Sequence, residues 1–197
     1  MLTVLTGLAA GFFHVLSGPD HLAAVAPLAA TDRRRGWWSG LTWGVGHASG
    51  VACVAVLAVL LRDQLPPIAA ISSWGERLVG VALIAVGLWA LHRAFGGRVS
   101  SPAHGHAHTS FAFGILHGIA GSSHFVGVLP ALALPTRDAA LAYVVAFGIG
   151  TVVAMTSFAA AVGLAGDRLP QVAGAQRAMM ISAAVLAFAV GGVWLAR

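Results

Sequence analysis

The sequence predicts an all-α integral membrane protein: six transmembrane helices arranged as two inverted-topology three-helix repeats, with the first helix of each repeat broken. Three observations carry this expectation. Of the 197 residues, 58% are hydrophobic and 9% charged, and the mean hydropathy is +0.87, whereas roughly a quarter of a soluble domain is charged. Six apolar stretches, at about 2–30, 37–61, 74–94, 110–134, 140–165 and 176–196, are each long enough to cross a hydrocarbon core of roughly 30 Å. Finally, the chain repeats itself: "GFFHVLSGPDHLAAVAPLAA" (11–30) lies over "GILHGIAGSSHFVGVLPALA" (114–133), with Gly11/Gly114, His14/His117, Gly18/Gly121, His21/His124, Val25/Val128, Pro27/Pro130 and Ala30/Ala133 identical. Three spans per copy is an odd number, so two tandem copies enter the bilayer in opposite directions, a common transporter construction.

The first span has no basic side chain ahead of it and recurs later in the chain, so it reads as mature fold rather than as a secretory leader. Inside it lies "HVLSGPDH" (14–21). Pro19 cannot donate the intrahelical hydrogen bond and disfavours helix at Gly18. A break is predicted there, with Ser17 or Gly18 capping a new half-helix that holds Asp20 and His21 in its first turn. His14 precedes His21 by two helical turns, so His14, Asp20 and His21 can share one cavity. The second span carries "WGVGH" (43–47), which brings His47 and glycines at 44, 46 and 50 that permit close helix approach. Cys53 reads as a small packing residue. As the sole cysteine it excludes an internal disulfide, a CxxC pair and a thiolate cluster.

The third span closes repeat one (1–97). A central connection (98–109) contains "HGHAH", whose His104, His106 and His108 form either a solvated His-rich loop or a weak metal-collecting tract. Repeat two (110–197) completes what is read as a single membrane domain. Its first span returns His117 and His124 at the spacing of His14 and His21, but Ser122 and Ser123 replace Pro19 and Asp20. In its second span "FGIGT" (147–151) answers "WGVGH", with Thr151 in place of His47, and "DRLPQVA" (167–173) answers "DQLPPIA" (63–69). Tryptophans 37, 38, 74, 89 and 194 fall near span ends, where interfacial anchoring is the ordinary role.

All 11 basic residues are arginine, set against six acidic ones. They punctuate the apolar stretches rather than forming a basic face, which speaks to orientation and against nucleic acid. Connections one, three and five hold Arg33, Arg34, Arg35, Arg93, Arg98, Arg168 and Arg177; the opposite side holds Arg62, Arg77, Arg137 and Arg197. That bias places the odd connections in the cytoplasm and both termini outside.

A lone intramembrane histidine commonly serves as a helix-to-helix hydrogen-bonding group worth roughly 1 kcal/mol. Four such histidines at a duplicated spacing, His14, His21, His117 and His124, together with Asp20 favour an ion pathway, and His47 adds a sixth group. Imidazole with carboxylate suits Ni²⁺, Co²⁺, Zn²⁺ or Cu²⁺, and imidazole can exchange such an ion against a proton.

"HVLSGPDHLAAVAPL" together with "WGVGH" resembles the nickel/cobalt transporters, including NicO-type high-affinity nickel-transport proteins. Their motif is His, four residues, Asp-His; here five residues separate His14 from Asp20-His21, which marks a sub-branch. The resemblance covers both repeats, carries its specific residues on His14, Asp20, His21 and His47, and implies a transporter of Ni²⁺ or Co²⁺. A His-rich central loop like "HGHAH" occurs in some members and is associated with export. Cytochrome c biogenesis electron carriers share a three-plus-three plan but need paired cysteines, which are missing here.

The expected function is therefore secondary transport of Ni²⁺ or Co²⁺ through a His/Asp site at the repeat interface, with the metal as cargo, no permanent cofactor and no enzymatic activity. The expected setting is a bacterial plasma membrane. No nucleotide motif such as GxxxxGK[ST] occurs, so a proton gradient, a coupling partner or a second copy of the chain is expected to assist. Two alternatives are a membrane accessory protein that hands metal to an enzyme such as urease or hydrogenase without translocating it, and a transporter of an anion such as sulfite drawn to half-helix ends.

Overall fold

In a computed structural model, described for residues 1–31, 36–60, 69–95, 105–120, 122–168 and 173–196, the chain folds into helices throughout and no strand occurs among the described residues. The order is α1 (Leu2–Ser17), α2 (Pro19–Thr31), α3 (Gly36–Leu60), α4 (Ala69–Ala94), α5 (Gly105–Ala120), α6 (Ser122–Leu132), α7 (Arg137–Arg168) and α8 (Ala173–Leu195). Among the described residues α3 and α7 are long and apolar enough to cross a membrane, and α1 with α2 forms a third such unit bent by 74° at its break.

The break sits where Gly18 and Pro19 predict it. Gly18 N–H still bonds Val15 C=O (3.2 Å), and Gly18 C=O then accepts from the N–H groups of His21 (3.1 Å) and Leu22 (3.4 Å), opening α2. Ser17 is not the cap: its hydroxyl donates backward to Phe13 C=O at 2.7 Å. Pro19, with no N–H to satisfy, takes the first helical position at no cost.

Small residues decide how the helices meet. Gly7 and Gly11 of α1 lie against the backbone of α7 at Tyr143 and Phe147, and Gly150 of α7 lies against Leu8. The same set recurs one repeat away: Gly114 and Gly118 of α5 meet α3 at Trp43 and His47, and Gly46 meets Phe111. Rising numbers on one helix meet rising numbers on the other, so α1 runs parallel to α7 and α5 parallel to α3. The α3 and α7 helices cross antiparallel, Gly36 against Ala159 and Gly163 and Gly44 against Val152, and α4 lies antiparallel to α8, Gly80 against Gly191 and Gly87 against Ala184. In a bilayer, such contacts bind through van der Waals packing at short backbone separation, which a larger residue prevents.

The core follows these crossings. Val15, Ala23, Val25, Trp43, Leu83, Met155 and Ala159 form one buried cluster; Val51, Val59, Val128, Tyr143, Val144 and Phe147 form another. Two expectations change here. Cys53 is exposed on α3 rather than packed. Helix α5 begins at Gly105, so His106 and His108 ride on its first turns rather than in a connection.

Candidate metal centre

The α1–α2 break delivers three polar groups to one place. His14 ends α1, Asp20 and His21 begin α2, and the bend brings the two imidazoles to a ring-centroid separation of 4.6 Å. His21 Nδ1 donates toward Asp20 Oδ1 at 3.1 Å. Two further histidines come from elsewhere in the chain. His47 of α3 stands 4.9 Å from the His21 ring and 6.1 Å from the His14 ring, with which it is stacked nearly parallel. His117, at the end of α5, places Nε2 3.1 Å from Asp20 Oδ2 and its ring 4.9 Å from that of His21.

Burial is nearly complete. Asp20 is 2% exposed, His21 1%, His47 0% and His117 3%, while His14 is half-buried. An ionised carboxylate in such a place is tolerated only with partners, and here two imidazoles flank its two oxygens. The donor set is one carboxylate and four imidazoles, suited to borderline divalent transition metals rather than to Mg²⁺ or Ca²⁺. One ligand atom each from His14, His21 and His47 lie within 4.8 Å of one another, and so do one each from Asp20, His21 and His117.

Of the residues singled out in the sequence, the structure brings together His14, Asp20, His21, His47 and His117. His108 is exposed on the first turns of α5, nine residues before His117 and so about 13 Å away along the helix axis. His104 and the side chains of His106 and His124 lie outside the described residues. Thr151, which stands where His47 does in the other repeat, donates its hydroxyl to Gly11 C=O at 3.4 Å and pins α7 to α1.

Two aromatic residues at the site went unmarked in the sequence. Phe147 lies 5.4 Å from the His14 ring, and Trp43, stacked on Phe113, lies 6.1 Å from the His117 ring. They are repeat-mates flanking repeat-mates: Trp43/Phe147 and His14/His117 correspond at internal offsets of 104 and 103 residues, and that correspondence is the signal that could have found them. Both aromatics are fully buried and close the cluster with apolar walls.

Comparison with known proteins gives three relatives. The chain is 37% identical over 183 residues to Chloroplast protein FOR GROWTH AND FERTILITY 2 of Arabidopsis thaliana, covering 84% of this chain and 48% of that protein. It is 35% identical over 189 residues to Chloroplast protein FOR GROWTH AND FERTILITY 1 of the same plant, covering 84% and 51%. To the urease accessory protein UreH of Bacillus sp. (strain TB-90) it is 29% identical over 187 residues, covering 83% and 78%. The chain thus spans about half the length of the two plant relatives. No protein-family model and no solved structure matches. The chain is therefore an all-helical protein with membrane-compatible helices, a buried His/Asp cluster and a urease accessory protein among its relatives.

Proposed function

We propose that the protein is a secondary transporter that moves a divalent transition-metal cation, Ni²⁺ or Co²⁺, across a membrane through the cluster of His14, Asp20, His21, His47 and His117. On this reading it is not an enzyme and keeps no permanent cofactor. The observation that carries the reading is the burial of a carboxylate and three imidazoles at a break in an apolar helix, with His14 at their edge. Ionisable groups in a hydrocarbon-spanning segment are costly and mark ion pathways. Irregular backbone at that depth is tolerated where it lines a cavity or is buried in protein.

The reading includes six spans in two inverted repeats, 1–97 and 110–197, joined through 98–109. It is supported by the run directions of the helices: α1 with α7 and α3 with α5 parallel, α3 with α7 and α4 with α8 antiparallel. Those are the directions required if alternate spans cross in alternate senses. Rocking of one repeat against the other would expose the cluster to each side in turn, with a proton gradient or a partner as the driving force. The arginine bias orients both termini outward in a bacterial plasma membrane.

The deciding experiment is Ni²⁺ accumulation in proteoliposomes holding the purified chain, with Co²⁺ and Zn²⁺ as competitors, repeated for Asp20→Ala and His21→Ala. Saturable accumulation lost in both variants is the expected result. A second reading, supported by the name of the bacterial relative, is a membrane accessory protein that binds metal and passes it on; metal bound with no lumenal accumulation would select it. The anion alternative is disfavoured because Asp20 occupies the α2 N-terminus, where an anion would sit.

A further inference from the structure

The five groups contain two overlapping trios within one close cluster, in which the His47 and His117 rings also stand 5.4 Å apart. His14, His21 and His47 offer one ligand atom each within 4.8 Å of one another; Asp20, His21 and His117 do the same; His21 belongs to both. Donors on one ion with bonds of about 2.1 Å are separated by roughly 3–4 Å. Each trio can close on an ion by modest side-chain adjustment.

The two trios differ in chemistry and in access. The first is three imidazoles, and it includes His14, the half-buried member. The second adds the carboxylate, and every one of its members is at most 3% exposed. His21 lies between them, 4.6 Å from His14 and 4.9 Å from His117 by ring centroid. The outer rings are each backed by an aromatic of the opposite repeat, Phe147 behind His14 and Trp43 beside His117. An ion moving along this row exchanges two ligands while a third stays attached, so it is never stripped bare.

We infer that the cluster is two overlapping stations for one divalent transition-metal ion: an all-imidazole station of His14, His21 and His47, and a carboxylate station of Asp20, His21 and His117, with His21 held throughout the transfer. This rests on the translocation reading above and adds a path within it. The all-imidazole station holds the one partly exposed member, His14, and the carboxylate station is enclosed on all sides. The Asp20 oxygen on His21 Nδ1 also orients that ring for the all-imidazole station, as carboxylates do behind metal-binding histidines.

The test is Co²⁺ titration of the full chain in lipid nanodiscs, with X-ray absorption at the cobalt edge to count imidazole and oxygen ligands. Three variants are compared: Asp20→Ala/His117→Ala, His14→Ala/His47→Ala and His21→Ala. Wild type is expected to bind one Co²⁺ per chain. Each double variant keeps one Co²⁺ at its surviving station: the first with no carboxylate ligand and weakened about 10- to 100-fold because His21 loses its outer-shell Asp20, the second with fewer imidazoles. Both lose proteoliposome transport, and His21→Ala loses binding altogether. If either double variant abolishes binding as fully as His21→Ala, or wild type binds two ions, the shared-ligand path is overturned while metal binding stands. If wild type binds none, the path falls together with the translocation reading, a result readable apart from the others. Where an alanine pair fails to fold, Asp20→Asn/His117→Gln and His14→Gln/His47→Gln carry the same comparison.

Discussion

Gly18→Ala isolates the geometry of the break from its chemistry, because it alters no ligand. The Gly18 backbone, at φ −93° and ψ 99°, is extended and accepts an alanine without strain. The added Cβ, however, would stand 2.9 Å from Asp20 Oδ1 and nearer still to His21 Nδ1, whereas carbon and oxygen ordinarily approach to about 3.3–3.6 Å. The carboxylate must retreat by about half an ångström, and the 3.1 Å contact between Asp20 and His21 opens. A hydrogen bond to a charged group contributes about 1.5–3 kcal/mol, equivalent to about 10- to 150-fold in Kd at about 1.4 kcal/mol per tenfold. The assay is isothermal titration of Ni²⁺ into the chain in nanodiscs, with thermal unfolding recorded alongside. Gly192→Ala, whose Cβ would meet nothing within 4 Å, serves as the matched control. Nickel affinity in Gly18→Ala within twofold of wild type, in a protein that unfolds normally, would refute the claim that the break sets the ligand geometry.

Asp20→Asn keeps the volume of the side chain and removes its charge; since charge-assisted hydrogen bonds are about twice as strong as neutral ones, Ni²⁺ accumulation in proteoliposomes is expected to fall to background while the protein still elutes as a single folded species. Gly11→Leu drives a side chain into the Phe147 backbone; overpacking costs about 1–3 kcal/mol, which lowers the midpoint of fluorescence-monitored thermal unfolding by about 2–12 °C. Thr151→Val removes only the hydroxyl bond to Gly11 C=O, worth about 0.6 kcal/mol in a membrane bundle, so the midpoint shifts by about 1–2 °C and Ni²⁺ affinity is unchanged.

What the sequence disclosed follows from how local each signal is. The break at Gly18-Pro19 and the meeting of His14 with Asp20 and His21 are decided within eight residues, by proline's missing donor and the turn it forces. His117 came through the internal repeat, a pattern in the letters that needs no folding to see. His47 was in view as a residue, but its place beside His21 depends on α3 crossing α7 and on α5 lying along α3, which no periodicity encodes. Trp43 and Phe147 stand in matching motifs, but their place beside His117 and His14 depends on the same crossings. Cys53 misled because α3 is apolar on all sides; in a bilayer the outward face is as apolar as the inward one, so hydropathy does not say which way a small residue points. The Gly, Pro and Ser ahead of His106 and His108 read as a connection, yet α5 starts at Gly105, ahead of both.

The glycine crossings also bear on what holds the two halves together. Helix α1 leans on α7 and α5 leans on α3, so the broken helix of each half is seated on the long helix of the other. The halves are interlocked, and the covalent link through 98–109 is not what unites them. Fragments 1–97 and 98–197 made as separate polypeptides in one cell should therefore find each other and rebuild the centre, each alone lacking the surface its own broken helix rests on. A homodimer of the first half would bring two Asp20 carboxylates to the same cavity. The second half carries Ser123 where the first carries Asp20, so a single carboxylate stands there.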